Sequence, residues 1–418
     1  MIHPEPKSYL DKVLVIVIAL VAAVGAWILA SRLSTVVLEG SNPDIYFSSD
    51  ASRVQANMVT RNSDHWRTGV HPLFSLEMHT AFVAVAAIMH ADISNGDSMS
   101  PGAIAVSRVM SGIAAGLAAG LFFALLRTMK ISRLDAVVFC VLAAFGAFSL
   151  FWFSIPETYP WGSVTILVGL LLAAIGSFKA PSIIWYVITS VLTLSVTTTN
   201  WMVGILAMWT RFTWRKTIIW TTVALFITVG LSLVQKKIFP SAWLFVRPWT
   251  TETRYVMQPQ QSGGPVRCVT SFFSHTMIMP EITTTPHIRE AGKYVMRTQF
   301  SAPASASVMG KVALACWVLL MVSGVYALFT IPDMLPLRIT LGLTLLGQLA
   351  LHSIYGSETF LYAAHYGPLL VAMTALATRT RYRIVVLILA AVMIVGLVFN
   401  NFAQLDHAYE LIHKFCPN

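Results

Sequence analysis

The sequence predicts an all-α polytopic membrane protein with about eleven transmembrane helices. Three observations carry that expectation. Of 418 residues, 56% are apolar and only 11% are charged, against roughly 25% charged in an average soluble domain. Mean hydropathy is +0.71. The apolar residues gather in long blocks rather than in short alternating runs. A soluble globule of this length needs far more polar surface. Gly 24, Pro 19 and Cys 4 exclude a collagen-like repeat, a disordered chain and a disulfide scaffold.

A membrane-crossing helix needs about 20 mostly apolar residues. The clear blocks are 13–31, 102–126, 134–154, 161–177, 181–198, 201–213, 217–235, 311–331, 336–355, 364–378 and 384–400. The first follows Lys7 and Lys12 and lacks an A-x-A-like site after it. It also exceeds a signal-peptide core of about 7–15 residues, so an uncleaved first span is expected.

A further stretch, 72–91, is apolar but is bounded or interrupted by His71, Glu77, His79 and His90, which a lipid-facing span hardly tolerates. If it crossed, Arg127, Lys130 and Arg133 would fall outside and every later basic cluster would invert. Read as juxtamembrane or re-entrant, it leaves the short basic segments on one side: Lys7 and Lys12; Arg127 to Arg133; Lys179; Arg211, Arg215 and Lys216; Arg338; and Arg379 to Arg383. That bias places the N-terminus in the cytoplasm and the C-terminus outside. Two long external loops follow, 32–101 and 236–310. The organisation reads as a transmembrane module over 1–235, including 32–101 with its juxtamembrane segment 72–91, then the external loop 236–310, then C-terminal helices and an external tail over 311–418. There is no internal repeat, so a transporter built from inverted halves gains no support.

Twenty-eight basic against 18 acidic residues give a net charge of +10. Most of the excess borders apolar blocks, where it suits lipid headgroups. No nucleic-acid module is present, so membrane lipids and not nucleic acid are the expected partners. Cys140 and Cys316 lie within apolar blocks and read as small hydrophobes. Cys268 and Cys416 lie in external segments, and their pairing stays open. No Walker A, H-E-x-x-H, paired C-x-x-C or G-x-S-x-G motif occurs.

Acidic residues suited to chemistry collect in the external segments. The first loop runs Asn42-Pro43-Asp44-Ile45-Tyr46-Phe47-Ser48-Ser49-Asp50-Ala51-Ser52-Arg53, then through Asp64-His65-Trp66-Arg67 to His71-Pro72-Leu73-Phe74. A carboxylate at the membrane boundary, partly desolvated, has a raised pKa and acts as a general base. Asp50 is the candidate, and Asp44 follows Pro43 like a turn residue. The competing reading is that Asp50 or Ser49 simply caps a short helix. Glu157 stands between Pro156 and Pro160, at a fixed depth or in an ordinary solvated turn. Glu358, Tyr362 and His365 would share one helical face by their i, i+4, i+7 spacing, with Tyr366 beside them; an interfacial aromatic belt explains the tyrosines equally well. In the loop 236–310, Arg247, Arg254 and Arg267 lie among or after Trp243, Phe245, Trp249 and Tyr255. Arginine forks recognise phosphate, and unspecific headgroup attraction is the alternative.

On these residues the chain resembles the GT-C class of integral-membrane glycosyltransferases. The features that carry the resemblance are an acid in the first external loop (Asp50, with Asp44 second), the His71-Pro72-Leu73-Phe74 segment opening a juxtamembrane stretch, Ser107-Arg108-Val109 near the start of the second span, and Glu157 after the third. It covers residues 10–165, with 355–368 also familiar. The chain reads His-Pro-Leu where His-Pro-Pro is commonest, and it lacks a paired Asp-x-Glu at 154–159.

The resemblance implies inverting transfer of one sugar from a polyprenyl-phosphate donor to an acceptor on the external face of an inner membrane. In that expectation Asp50 deprotonates the acceptor hydroxyl, and arginines of 247–267 hold the lipid phosphate. Asp44, Arg53, His71, Glu157, Glu358, His365 and Tyr366 bind substrate. The acceptor is a lipid-linked glycan, lipopolysaccharide or a protein. No cofactor is required, although Asp50 with Glu157 would accommodate a divalent cation. A glycan ligase or polymerase using polyprenyl diphosphate, and a non-enzymatic lipid or solute transporter, are the alternatives.

Overall fold

The computed structural model describes residues 9–39, 44–246, 252–287 and 292–416. Its helices are α1 (Tyr9–Glu39), α2 (Ala51–Val59), α3 (Phe74–Met89), α4 (Pro101–Thr128), α5 (Arg133–Phe145), α6 (Ala147–Trp152), α7 (Thr158–Gly176), α8 (Ile183–Val196), α9 (Trp201–Trp209) and α10 (Trp214–Ile238). The short α11 (Pro259–Ser262) and α12 (Gly264–Thr270) follow, then α13 (Val308–Thr330), α14 (Leu335–Ile354), α15 (Ala363–Ala375) and α16 (Arg383–Phe415). A two-stranded antiparallel hairpin, β1 (Thr283–Pro286) with β2 (Tyr294–Arg297), pairs Thr283 with Arg297. Among the described residues eight helical stretches are long and apolar enough to cross a membrane, α15 being counted with its flanking 3₁₀ turns as Thr359–Arg379. The protein is an all-α, membrane-embedded chain.

Local chemistry sets the starts of these helices. Ser100 caps α4 by accepting from the Ala103 N–H, with Pro101 in the first turn. Ser132 does the same for α5 through the Asp135 N–H, and Ser307 for α13 through the Gly310 N–H. Such caps satisfy donors that the first helical turn leaves open.

Helices α1 and α4 run antiparallel and touch backbone to backbone. A Cβ on Gly112 would lie 2.9 Å from the Ala23 carbonyl, and one on Gly116 2.9 Å from that of Ala19. Gly112, Gly116 and Gly120 form the small-residue stripe that membrane helices use for close approach. Because α1 and α4 are antiparallel, the chain between them leaves and rejoins the bundle at one end. Helix α3 keeps to that end. The Leu73 N–H at its start donates to Ser195 O (2.8 Å). Just after it, Asp92 lies against Gly102 at the head of α4. Helix α3 has 16 residues.

The other end is tied by ion pairs. Asp11 meets Arg127 (3.2 Å) and Arg133 (2.7 Å), Asp333 meets Lys130 (3.1 Å) and Arg379 (2.8 Å), and Asp135 meets Arg383 (2.7 Å). The basic clusters around 127–133 and 379–383 therefore share one end of the bundle.

Three of the eleven expected blocks form shorter helices than anticipated. Gly146, with extended backbone, divides 134–154 into α5 and α6. The exposed N–H groups of Ala147 and Phe148 are taken by the carbonyls of Met277 and Thr276 (3.0 and 2.8 Å). Helix α8 has 14 residues and α9 has nine. No disulfide joins Cys268 to Cys416. Both are buried, and Gln299 Nε2 approaches Cys268 Sγ at 3.6 Å.

Candidate functional site

The site stands at the end of the bundle opposite those ion pairs, on an aromatic base. Tyr46, Phe47, Trp152 and Phe360 are buried; Phe47 and Phe360 are edge to face at 5.3 Å, and Trp152 Nε1 donates to Phe360 O (2.9 Å). Phe47 and Ser48 have φ of +53° and +59°. A bulky residue rarely adopts that left-handed backbone, which costs energy that the surroundings must supply. Here the turn is closed by Ser48 N–H to Asp44 O (3.0 Å) and Ser49 N–H to Tyr46 O (2.9 Å). The strained turn delivers Asp50 to the head of α2.

Asp50 is the N-cap residue of α2, but its carboxylate makes no capping bond. It faces two arginines instead. Oδ2 is 2.6 Å from Arg53 Nη2 and 3.2 Å from Arg67 Nη2, and Arg67 Nε donates to it at 3.3 Å. Arg67 lies over the Trp66 ring at 4.8 Å and the Tyr255 ring at 6.0 Å, geometry that favours a cation on an aromatic face. Burial alone would raise the Asp50 pKa; Arg53 and Arg67 outweigh it and hold the carboxyl below the usual carboxylate range. This corrects the expectation of a raised pKa at Asp50, because two guanidinium groups face one carboxylate oxygen.

Glu157 is the second acid, and it is 1% exposed rather than in a solvated turn. Its Oε1 accepts from the Asp50 N–H at 2.8 Å. Its Oε2 accepts from the Thr158 N–H and from Thr158 Oγ1, the latter at 3.0 Å. Burial, and then the Asp50 charge, raise its pKa. The two carboxyls are thus pushed in opposite directions, as paired acid–base groups are in enzymes. His71 Nδ1–H donates to Val196 O (2.8 Å), which fixes the tautomer and leaves Nε2 as an acceptor. Burial, then Arg67 and Arg53, bring its pKa down to about 3.

Asp50, Arg53, His71 and Glu157 come together as the sequence suggested, and Arg67 joins them. Its nearest sequence signal is the Asp64-His65-Trp66-Arg67 run, where an arginine follows an aromatic residue in the same loop as Asp50. Other candidates are placed elsewhere. Asp44 meets His287 (3.4 Å) beside the hairpin. Arg267 donates to Phe300 O (3.2 Å). Arg247 and the Arg254 side chain lie outside the described residues, although the loop carrying them reaches the site through Tyr255.

Glu358 does not share a face with His365. It precedes a 3₁₀ turn, Thr359–Tyr362, rather than a full α-helical turn, and its carboxylate turns to Thr298 Oγ1 (2.6 Å) and the N–H groups of Thr298 and Gln299 (3.2 and 3.3 Å). Tyr366 is a packing residue. Its ring stacks on Phe272 at 3.9 Å and its hydroxyl donates to Thr359 O (2.9 Å). His365 is buried beside Tyr159, with ring centroids 5.4 Å apart.

Among the described residues no group of three or more His, Cys, Asp or Glu is placed to hold a metal ion. Compared with family models, curated proteins and solved structures, the chain matches none.

Proposed function

We propose that this chain is an inverting membrane glycosyltransferase, moving one sugar from a polyprenyl-phosphate donor to an acceptor hydroxyl. The observation that carries the reading is the juxtaposition of a paired Asp50–Glu157 with Arg53 and Arg67 at one end of an apolar bundle. Transfer needs a proton acceptor for the hydroxyl and positive charge for the departing phosphate. Both are present within one cluster.

In this mechanism the donor phosphate takes Arg53 and Arg67 from Asp50. Losing its counter-charges, Asp50 becomes more basic at the moment substrate arrives. It removes the acceptor proton as the acceptor oxygen attacks the anomeric carbon, and the bond to phosphate breaks with its electron pair on the phosphate. Glu157 holds the Asp50 backbone, and its raised pKa limits repulsion of the incoming anion. An apolar cavity of about 480 Å³, lined by Val21, Gly25, Ala118, Phe122 and Cys140 among others, suits an isoprenoid tail.

We read the site end as external, in an inner membrane, with α5–α6, α8 and α9 crossing alongside the eight long helices. Eleven spans then put the basic clusters in the cytoplasm, as the charge bias demands.

The test is reconstitution in vesicles with labelled polyprenyl-phosphate pentoses and hexoses. The expected result is release of unglycosylated polyprenyl phosphate from at least one of them, lost in Arg53→Ala and Arg67→Ala. Failure to bind or turn over any monophosphate donor, with turnover of a diphosphate-linked glycan instead, would overturn the proposal.

A further inference from the structure

Below Glu157 the bundle holds a second set of polar side chains that neither the acid pair nor its arginines use. Asn200 comes from the Thr198–Asn200 turn, Thr344, Gln348 and His352 from α14, and His365 from α15. All five are buried. In each, one side-chain atom meets no protein partner: Asn200 Oδ1, Thr344 Oγ1, Gln348 Nε2, His352 Nδ1 and His365 Nε2.

These atoms form one seam. Thr344, Gln348 and His352 are spaced by four residues and so occupy one stripe of α14, with His352 Nε2 3.2 Å from Gln348 Oε1. Asn200 and His365 meet over Gly162, where a Cβ would lie 2.9 Å from Asn200 Nδ2 and collide with His365 Nε2. Aromatic rings link the two halves. His352 stacks on Tyr362 at 4.3 Å, Tyr362 is 5.4 Å from Tyr159, and Tyr159 is 5.4 Å from His365. Tyr159 is two residues from Glu157, so the seam begins directly under the acid pair. Thr344 precedes the end of α14 at Ile354 by about 15 Å at 1.5 Å per residue, which carries the seam deep into the bundle.

A buried donor or acceptor without a partner carries a desolvation penalty that an apolar residue of the same shape avoids. Five in one seam call for a ligand that repays them. The chemistry selects it. No Asp, Glu, Lys or Arg occurs in 158–176, 339–354 or 359–378, so below Tyr159 these helices offer no charged side chain to a phosphate, a carboxylate or an ammonium group. Amide and imidazole groups offer both donors and acceptors, and tyrosine rings add flat apolar faces. That combination recognises an uncharged, polyhydroxylated ring.

We propose that the seam between α7, α14 and α15 receives the glycosyl group of the substrate, while Arg53 and Arg67 meet its phosphate. This rests on the reading that the substrate is a lipid-phosphate sugar, and it assigns the sugar half to residues of α14 that no motif marks.

The test uses the full chain in nanodiscs, with uncharged methyl glycosides of several pentoses and hexoses as probes and thermal unfolding as readout. Two double variants, Gln348→Leu/His352→Leu and Gln348→Leu/His352→Phe, remove the unpaired atoms together with the bond between the two side chains, so that neither is left facing a lost partner. The expected result is an unfolding temperature of the ligand-free protein equal to or above wild type, with affinity for the binding glycoside reduced at least about tenfold, equivalent to about 1.4 kcal/mol. Polyprenyl phosphate without sugar should bind both variants as it binds wild type.

A drop of several degrees in the ligand-free variants overturns the proposal, because the side chains are then structural. So does a glycoside shift that survives in both variants, or one absent from wild type even where lipid-donor transfer is measured. Seam-dependent glycoside binding without any transfer keeps the seam and removes the transferase reading instead.

Discussion

Replacing Asp50 by Asn removes the charge that two arginines share while keeping the size of the side chain. The Asp50, Arg53 and Arg67 side chains are 30%, 19% and 15% exposed, between the surface limit of about 0–1 kcal/mol per pair and the buried limit of about 3–5. Two charge-assisted contacts at about 1.5–3 kcal/mol each, discounted for exposure and for the one bond an amide oxygen still accepts, leave a loss of about 2–3 kcal/mol at pH 7.5. The arginines hold the Asp50 pKa below its ordinary 3.8 against the opposing effect of burial. Its stabilisation is therefore complete above about 3.8 and disappears as pH falls through the lower folded value. Unfolding of wild type and Asp50→Asn in detergent, at pH 7.5 and again in strong acid, should show a gap that narrows as the medium is acidified. Transfer should fall by at least about a hundredfold with donor binding kept, the typical range for a lost base being about 10²–10⁴. Equal stability at pH 7.5 would refute the ion-pair reasoning. Near-wild-type transfer by a normally folded variant would move the proton acceptor to Glu157.

Three further outcomes follow from the fold. Cysteines placed at Val70 and Asn95, on either side of α3, should react with an impermeant thiol reagent from the same face of a vesicle; the native cysteines are buried, and labelling from opposite faces would mean that α3 crosses. Arg383→Ala should cost about 2–4 kcal/mol because it strands Asp135, whose side chain is 2% exposed, whereas Arg32→Ala should cost under about 1 kcal/mol because Arg32 and Asp406 are 53% and 58% exposed; equal unfolding of the two variants refutes this contrast. His71, with a folded pKa of about 3 against an ordinary 6.5, favours the folded state above 6.5 and loses that advantage as pH falls toward 3, so His71→Asn should flatten the acid side of the stability curve by up to about 1.4 kcal/mol per pH unit. An unchanged slope between pH 6.5 and 4 would count against it.

The membrane class and the long apolar helices were legible in the sequence, since hydropathy acts locally along the chain and a bilayer punishes every local violation. Asp50, Arg53, His71 and Glu157 were legible for the same reason: ionisable residues are rare here, and each one stands out. What the sequence could not decide is direction. Glu358 and His365 have helical spacing, but the helix they would share begins only at Ala363, and the 3₁₀ turn before it sends the Glu358 carboxylate to Thr298. Arg67 is 17 residues from Asp50 and meets it only because the chain turns back after α2, between Val59 and Trp66, where Ser63 Oγ donates to Thr60 O (3.1 Å). Thr344, Gln348 and His352 read as minor polar interruptions of an apolar block. Whether such a stripe faces lipid or the facing helices α7 and α15 depends on the rotation of α14 within the bundle. That rotation is settled by packing between segments distant in sequence, through close contacts such as Gly347 against Met202, and no local pattern encodes it.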